Sequence, residues 1–230
     1  MWKGKKKAIT LSFDDGTTQD IRFVEILDKY DLKATFNLNS CLLGKEGLLE
    51  RHGRTVRHDK ILPNEVKDIY KGHEVAVHTL THPNLTFLGD DEVVWQVEED
   101  RKNLSELCGY EVVGMAYPCG GKNNDERVAQ IVASRTGVKY ARTITSTYQF
   151  DSQSDLFRFN PTVHFIDEDL DNIVDRFLSE QDSGLLYIWG HSFELDAEYI
   201  TWEKFEKVCK KLARNADVFY GTNKEVLLKE

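Results

Sequence analysis

The alternation of strand-length apolar runs with stretches of helical periodicity constrains this chain of 230 residues more than any other feature. Residues 8–13 have the apolar character of a buried strand, and residues 21–30 follow with apolar side chains every three or four positions. The same pattern predicts further strands at 34–38, 74–77, 112–117, 140–144, 163–165, 185–189 and 218–220. It predicts further helices at 63–71, 91–108, 124–135, 170–178 and 202–213. This order predicts an α/β fold with a mostly parallel sheet, either open or closed into a barrel.

Composition and charge narrow the class of protein. The chain carries 30 Lys and Arg against 39 Asp and Glu, a formal net charge of −9. Such a balance argues against a protein that holds nucleic acid or an anionic membrane by charge. No apolar stretch approaches the roughly 20 residues of a membrane-spanning helix. Because the four prolines are scattered and no segment is of low complexity, we expect a single domain over residues 1–230.

The cysteines and the N-terminus bear on the cellular compartment. Cys41, Cys108, Cys119 and Cys209 form no CxxC pair, which is typical of reduced thiols in a cytosolic protein. The N-terminus is basic but has only a strand-length apolar run before Asp14, unlike a secretory signal peptide. We therefore expect a cytoplasmic protein, the alternative being a secreted protein whose signal has been removed.

Polar groups follow five of the predicted strands at the point where each strand ends. They are, in chain order, Asp14 and Asp15, His78 and His82, the Pro-Cys-Gly-Gly turn at 118–121, Arg142, and His191. The carboxyl ends of parallel strands share one face of a sheet, and ligands bind at that face in open sheets and in barrels. The sequence therefore predicts a functional site built from these strand ends.

Two histidines and an aspartate have the ligand types of a catalytic divalent-metal site. The spacing of His78 and His82 predicts two imidazoles on one side of a single helical turn, which Pro83 prevents from growing. Asp14 and Asp15 are expected to point to opposite sides of a strand, so that one can bind the ion while the other faces the substrate. Taken alone, the histidine spacing is also typical of two solvated side chains. An Asp-Gly pair, taken alone, is typical of a simple turn.

The remaining histidines differ in their expected roles. His191 follows a predicted strand, and an ordinary pKa near neutrality suits a general acid. The alternative is a histidine of the core or surface. We expect His73, which precedes its strand, to be structural. We expect His52, His58 and His164 to lie in loops or at the surface, with His164 within reach of a substrate.

Four motifs, in this order, resemble those of the polysaccharide deacetylases of carbohydrate esterase family four. They are LSFDDG at 11–16, HTLTH at 78–82, AYPCGG at 116–121 and WGHS at 189–192. The resemblance covers most of the chain and implies a distorted (β/α) barrel with about seven parallel strands. It also implies a metal-dependent hydrolase that removes N- or O-linked acetyl groups from a carbohydrate.

The resemblance also implies roles for individual residues. Asp14 corresponds to the general base and His191 to the general acid, while the backbone N–H of Cys119 corresponds to a donor that stabilises an oxyanion. The residues that correspond to the ligands of one divalent ion are Asp15, His78 and His82. We expect this ion to be zinc, with cobalt or nickel as alternatives.

Two features depart from the family's pattern. The arginine of the third motif, which orients the base, is Ala116 here, and the family's aspartate–tryptophan motif has no clear match. Arg142 lies on the next predicted strand, from which it could reach the same face. We therefore expect Arg142 to hydrogen-bond Asp14 in place of the missing arginine. The alternative is a pairing with another carboxylate, such as Asp151 or Asp155.

Several residues near the strand ends are candidate sugar contacts, or else belong to the core. They are Tyr117, Pro118, Trp189 and Trp202. Two other functions are compatible with the sequence: a non-catalytic carbohydrate-binding protein on the same fold, and a metal-dependent hydrolase of non-sugar amide bonds. As partner we expect an acetylated sugar, and neither nucleic acid nor a membrane.

Overall fold

Strands and helices alternate along residues 2–228, which the computed structural model describes. In chain order the strands are β1 (Lys7–Asp14), β2 (Ala34–Leu38), β3 (Leu48–Arg51), β4 (Arg54–Arg57), β5 (Glu74–Val77), β6 (Gly114–Ala116), β7 (Tyr140–Arg142), β8 (Val163–His164), β9 (Gly184–Gly190) and β10 (Val218–Tyr220). The helices are α1 (Asp20–Lys29), α2 (Val66–Ile69), α3 (Asp90–Cys108), α4 (Glu126–Arg135), α5 (Leu170–Ser179), α6 (Trp202–Leu212) and α7 (Asn223–Leu227). The α/β class predicted from the sequence is confirmed. None of these helices has the length and apolar character needed to cross a bilayer.

The main sheet is parallel throughout and contains eight strands. Seven of them lie in the order β7-β6-β5-β2-β1-β9-β8, and β10 pairs with the beginning of β1. One edge of β1 therefore pairs with two strands, because residues 7–9 pair with β10 and residues 11–14 pair with β2. Parallel neighbours need crossover connections. The helices α1, α3, α4 and α5 lie in those that join β1 to β2, β5 to β6, β6 to β7 and β8 to β9, and the connection from β2 to β5 contains β3, β4 and α2.

The segment 159–164 joins the two ends of this strand order. The Phe159 N–H donates to the carbonyl of Ala141 on β7 at 3.0 Å. Three residues later, the Thr162 N–H donates to the carbonyl of Tyr187 on β9 at 2.8 Å. The seven strands therefore close into a distorted (β/α) barrel, as predicted.

The two faces of the barrel strands differ in polarity. All the residues of β1 are buried. Phe13 faces the helices, where its ring centroid lies 4.2 Å from that of Phe23 on α1, and Phe23 stacks on Phe205 of α6 at 4.3 Å. Ser12 and Asp14 point to the opposite face, because successive strand residues alternate, and there they contact other polar side chains. The barrel therefore has an apolar outer core beneath its helices and a polar interior.

The short helix α7, which the sequence pattern does not predict, covers the amino ends of β2 and β5. Its first residue, Asn223, is fully buried, and its backbone N–H donates to Thr35 Oγ1 at 2.8 Å. The Asn223 side chain accepts from Thr10 Oγ1 at 2.8 Å and donates to Ser12 Oγ at 3.1 Å. The next residue donates its N–H to the buried carboxylate of Glu74 at 2.9 Å. These bonds anchor α7 to the polar interior of the barrel.

The antiparallel hairpin of β3 and β4 lies between β2 and α2 and is also absent from the predicted elements. Its strands are short and mostly exposed, so they lack the apolar pattern on which a prediction depends. Val56 packs against Phe193 and Ala197 in a small cluster of its own. The hairpin is therefore held beside the residues that follow β9.

Several predicted elements are shorter in the structure. Residues 63–71 form a 3-10 turn at Pro63–Glu65 followed by α2, and Gly72 with φ of 90° ends this segment. The strands predicted at 112–117 and 140–144 are limited to β6 and β7, because only three residues of each pair with one another.

Candidate active site

A cavity of about 550 Å³ opens at the carboxyl ends of the barrel strands, on the face where the sequence predicts a site. Its size lies in the usual range for small-molecule sites. Six residues with a predicted catalytic or metal-binding role line it: Asp14, Asp15, His78, His82, Cys119 and His191. Leu49 and Arg51 of β3 line it too, so the hairpin forms one wall. The cavity therefore brings the separate strand ends together.

Asp14 is the last residue of β1, and its side chain is almost fully buried. Arg142 Nη2 lies 2.5 Å from both of its carboxylate oxygens. Asn37 Nδ2 donates to Asp14 Oδ1 at 2.8 Å. Burial favours the neutral acid, but Arg142, together with the nearby imidazoles of His78 and His191, outweighs this effect and holds the pKa of Asp14 below its usual range. Asp14 is therefore an ionised carboxylate held in one orientation.

The guanidinium of Arg142 is itself held on several sides. Its Nε donates to Ser12 Oγ at 3.2 Å, and its Nη1 donates to the Thr143 carbonyl at 2.9 Å. The guanidinium carbon lies 4.7 Å from the ring centroid of Trp189. The structure thus brings together the arginine and the aspartate that the sequence analysis pairs. Neither Asp151 nor Asp155 contacts Arg142 in the described part of the chain.

Asp15, His78 and His82 form a cluster whose potential ligand atoms all lie within 4.8 Å of one another. His78 Nδ1 lies 2.9 Å from the Ala116 carbonyl, which can only accept, so Nδ1 carries a hydrogen and Nε2 is free to bind a metal. Burial lowers the pKa of His78 to about 4, so its imidazole is neutral at pH 7. This donor set fits one divalent ion with coordination positions left open.

The loop that carries the two histidines differs from the predicted helical turn. Thr79 and His82 have φ of 69° and 63°, so the chain reverses direction sharply between the two imidazoles instead of winding into a helix. Buried side chains hold this loop: Asn39 Nδ2 donates to the carbonyl of Thr79 at 2.8 Å, and Asp100 Oδ2 accepts the His78 N–H at 3.2 Å. The rings still meet, with centroids 4.9 Å apart.

Two residues that the sequence analysis does not place at the site contact Asp15. His58 lies in a loop, as expected, but its Nε2 lies 3.1 Å from Asp15 Oδ2, so this loop residue also belongs to the site. Lys60 Nζ donates to the Asp15 carbonyl at 2.7 Å and lies 3.4 Å from Oδ1. Burial alone would raise the pKa of Asp15, but His58 and Lys60 together hold it well below the usual range. Both residues follow the unpredicted hairpin, so no periodic signal marked them.

His191 lies directly after β9, beside a carboxylate that the sequence analysis also missed. Glu194 Oε2 lies 3.4 Å from His191 Nδ1 and 3.2 Å from His164 Nε2. Burial alone would lower the pKa of His191, but Glu194, with smaller contributions from the charges of Asp15 and Asp14, outweighs it and raises this pKa to about 9. The only signal in the sequence is the spacing of three residues between His191 and Glu194.

Cys119 has φ of 70°, in a turn that follows β6. Its backbone N–H makes no hydrogen bond with any residue between 2 and 228. Its Sγ lies 3.5 Å from the His82 carbonyl. The turn therefore presents an unused N–H donor at a residue that lines the cavity.

The four candidate sugar contacts divide into two pairs. Tyr117 and Trp189 line the cavity, whereas Pro118 and Trp202 do not. Trp202 begins α6, where its Nε1 donates to Asp196 at 3.0 Å and Arg22 lies 4.3 Å from its ring centroid. Trp202 thus lies outside the cavity, with its ring against Arg22 on α1.

Comparisons with known proteins agree with this geometry. A family model described as polysaccharide deacetylase matches residues 2–141, more than half of the chain. A peptidoglycan-N-acetylglucosamine deacetylase of Bacillus cereus is 36% identical over 110 residues, which are 46% of this chain and 34% of that protein. The peptidoglycan-N-acetylglucosamine deacetylase PgdA of Listeria monocytogenes is 29% identical over 120 residues, 51% of this chain and 22% of that protein. The matches thus span about a fifth to a third of these relatives.

Solved structures show the same fold. A pseudoenzyme of the carbohydrate esterase family CE4 from Bacillus anthracis has a TM-score of 0.55 and 21% identity. The alignment covers 97% of this chain and 66% of that one. Since that neighbour is a pseudoenzyme, the barrel alone does not establish catalysis, which depends on the side chains at the cavity.

Proposed function

The chain belongs to the polysaccharide deacetylase family, and we propose that it is a metal-dependent hydrolase that removes acetyl groups from a carbohydrate. One observation carries the proposal: a base held by an arginine, a two-histidine and one-carboxylate cluster, and a histidine paired with a glutamate surround one cavity. A carbohydrate-binding protein without catalysis would not require this set. The substrate we expect is therefore an acetylated sugar.

Asp14 is the proposed general base. Its ionised carboxylate takes a proton from the water that attacks the acetyl carbonyl carbon. Asn37 and Arg142 occupy part of its hydrogen-bonding capacity, and its Oδ2 lies 4.0 Å from His78 Nε2 on the metal-ligand side. A base fixed in this way meets the geometric demand of proton transfer at low entropic cost.

Asp15, His78 and His82 would hold the divalent ion, with zinc, cobalt or nickel as candidates. When bound, such an ion supplies Lewis-acid chemistry to a hydrolytic site. His58 and Lys60 hold Asp15 as an ionised ligand, and the Ala116 carbonyl fixes the tautomer of His78. The Cys119 N–H donates to the carbonyl oxygen as negative charge grows on it.

His191 is the proposed general acid. Its Nδ1 faces Glu194, so Nε2 is the nitrogen that remains to serve a substrate. The imidazolium gives the Nε2 proton to the departing nitrogen or oxygen of the sugar as the bond to the acetyl carbon breaks. The products are acetate and a free amino or hydroxyl group. Glu194 keeps His191 protonated in the pH range where Asp14 is ionised.

Acetate release from a panel of N- and O-acetylated sugars, with divalent metal added, tests the proposal. We expect release that a chelator abolishes and that Asp14→Asn lowers by about 10²–10⁴-fold. Binding of the sugars without any acetate release would favour a carbohydrate-binding protein. Faster hydrolysis of simple non-sugar amides than of acetylated sugars would favour a metal-dependent hydrolase of non-sugar amide bonds.

A further inference from the structure

A second cluster of potential metal ligands lies beside the first and shares no residue with it. His164 ends β8, and His191 and Glu194 follow β9. Their potential ligand atoms lie within 4.8 Å of one another. Two imidazoles and a carboxylate are the same donor types as in the first cluster, and they suit zinc, nickel and cobalt.

The distances in this cluster are longer than those of charge-assisted hydrogen bonds and are compatible with metal coordination. Glu194 Oε2 lies 3.2 Å from His164 Nε2 and 3.4 Å from His191 Nδ1. Charge-assisted N–H···O bonds are shorter, at about 2.7–2.9 Å. In a tetrahedral zinc site with bonds of about 2.0–2.1 Å, neighbouring ligand atoms are roughly 3.3 Å apart. The two nitrogens therefore already stand at the separations from Oε2 that a tetrahedral ion requires.

The two nitrogens contact one polar group only. Both are buried, and beyond their long ion-pair contacts with Glu194 neither makes a hydrogen bond between residues 2 and 228. Buried polar atoms need close partners, and a metal ion would satisfy both nitrogens and the carboxylate at once. The supporting contacts are in place: the His191 N–H donates to Glu194 Oε2 at 2.9 Å, and the His164 ring lies 4.3 Å from that of Trp189.

We propose that His164, His191 and Glu194 form a second divalent-cation site, and that an ion in this site inhibits the enzyme. An ion on His191 Nδ1 takes the place of the hydrogen that this nitrogen carries in the imidazolium. The remaining Nε2–H then belongs to a metal-bound neutral imidazole, which is a weaker acid than the imidazolium. The inhibitory part of this proposal depends on the proposed function, whereas the binding part does not.

Metal stoichiometry tests the binding part without any assay of activity. The tag-free full chain, stripped of metal, is dialysed against excess zinc, and bound zinc is measured by elemental analysis. We expect two ions per chain in the wild type and in the control His52→Gln, whose exposed imidazole stacks on Tyr199 away from the cavity. We expect one ion in His164→Gln and one in Asp15→Asn. One ion in the wild type, or two in His164→Gln, would overturn the site.

Circular dichroism tests whether each variant is folded. If His164→Gln does not fold, Glu194→Gln replaces it. The inhibitory part is then tested by acetate release at one equivalent and at excess zinc, each variant being compared with itself. Excess zinc should lower the wild-type rate by about 10-fold or more, since general acids contribute about 10²–10⁴, and should not lower that of His164→Gln. Equal inhibition of both proteins would refute the inhibitory role. If no acetylated substrate is hydrolysed at all, the proposed function fails, and the stoichiometry still decides the site.

Discussion

Arg142 Nη2 lies 2.5 Å from both carboxylate oxygens of Asp14, a residue 128 positions away in the sequence. The two residues end β7 and β1, between which β6, β5 and β2 intervene in the sheet. The contact therefore crosses the barrel interior and does not follow strand pairing. It supplies the counter-charge that a buried carboxylate needs.

Arg142→Ala should move the acidic limb of the pH–rate profile to higher pH by about 1–3 units. Burial raises the pKa of Asp14 once the opposing charge of Arg142 is lost, so the base becomes neutral at a higher pH. Turnover should fall while bound metal is unchanged. The variant should also lose about 3–5 kcal/mol of unfolding free energy, because it leaves one partner of a buried ion pair alone. Arg135→Ala, which removes an exposed ion pair with Asp91, is the control. If Arg142→Ala has the same pH–rate profile as this control, Arg142 does not orient Asp14.

Removing metal should abolish acetate release, and zinc, cobalt or nickel should restore it. His78→Ala should show no such restoration at one equivalent of metal, because the cluster loses a ligand with a fixed tautomer. The measurement is activity during titration of the stripped protein with each ion. His52→Gln serves as the histidine control. Full restoration of His78→Ala would show that the catalytic ion is held elsewhere.

Glu194→Gln should move the basic limb of the pH–rate profile to lower pH. In the wild type the pKa of His191 is about 9, because Glu194, aided by the charges of Asp15 and Asp14, outweighs the effect of burial. Without that charge, burial favours the neutral imidazole, and the acid is lost at lower pH. The profile is measured on an acetamido sugar, and Glu198→Gln, at an exposed ion pair, is the control. A basic limb that stays in place would mean that His191 is not the acid.

The same pair predicts how stability depends on pH. The folded-state pKa of His191 is raised to about 9 from an unfolded value of about 6.5, so its contribution is complete below pH 6.5 and is lost as pH rises to 9. The pKa of Glu194 is lowered to about 2, so its contribution is present above pH 4.3 and is lost as pH falls towards 2. The unfolding free energies of the metal-free wild type and of Glu194→Gln, measured in urea, should therefore differ most between about pH 4.3 and about pH 6.5. A difference that does not vary with pH would contradict the coupling.

Asn223→Ala should destabilise the protein by about 1–3 kcal/mol, since it leaves the buried hydroxyls of Thr10 and Ser12 without their amide partner. The midpoint of urea unfolding measures the effect. Asn172→Ala, on the exposed side of α5, is the matched control, and its midpoint should hardly change. A similar midpoint in both variants would show that α7 contributes little to the barrel.

The sequence predicts those parts of the site that regular strands carry. Asp14, His78 and His191 each follow an apolar run of strand length, so parallel pairing alone brings them to one face. The same reasoning predicts Arg142, from its place at the end of a strand. Its contact with Asp14 is predicted because Ala116 stands where the family has the arginine that orients the base.

Residues on irregular segments could not be predicted in this way. His58 and Lys60 reach Asp15 from a polar hairpin without apolar periodicity. The loop between His78 and His82 turns through two positive φ angles, which residue spacing does not reveal. Trp202, an aromatic residue that the sequence places among the candidate sugar contacts, lies outside the cavity and contacts Arg22 on α1.

The alternation along β1 makes this strand intolerant of any change in its length. Phe13 faces the helices and Asp14 faces the interior, so inserting or deleting one residue within β1 would exchange their positions. An aromatic ring would then occupy the cavity and a carboxylate would lie among phenylalanines, with loss of both stability and catalysis. The hairpin of β3 and β4 pairs with no barrel strand, so its tip at His52 and Gly53 should accept insertions that β1 cannot. Length variation among natural variants of this chain should therefore concentrate in that hairpin, where it would reshape the cavity wall without disturbing the barrel.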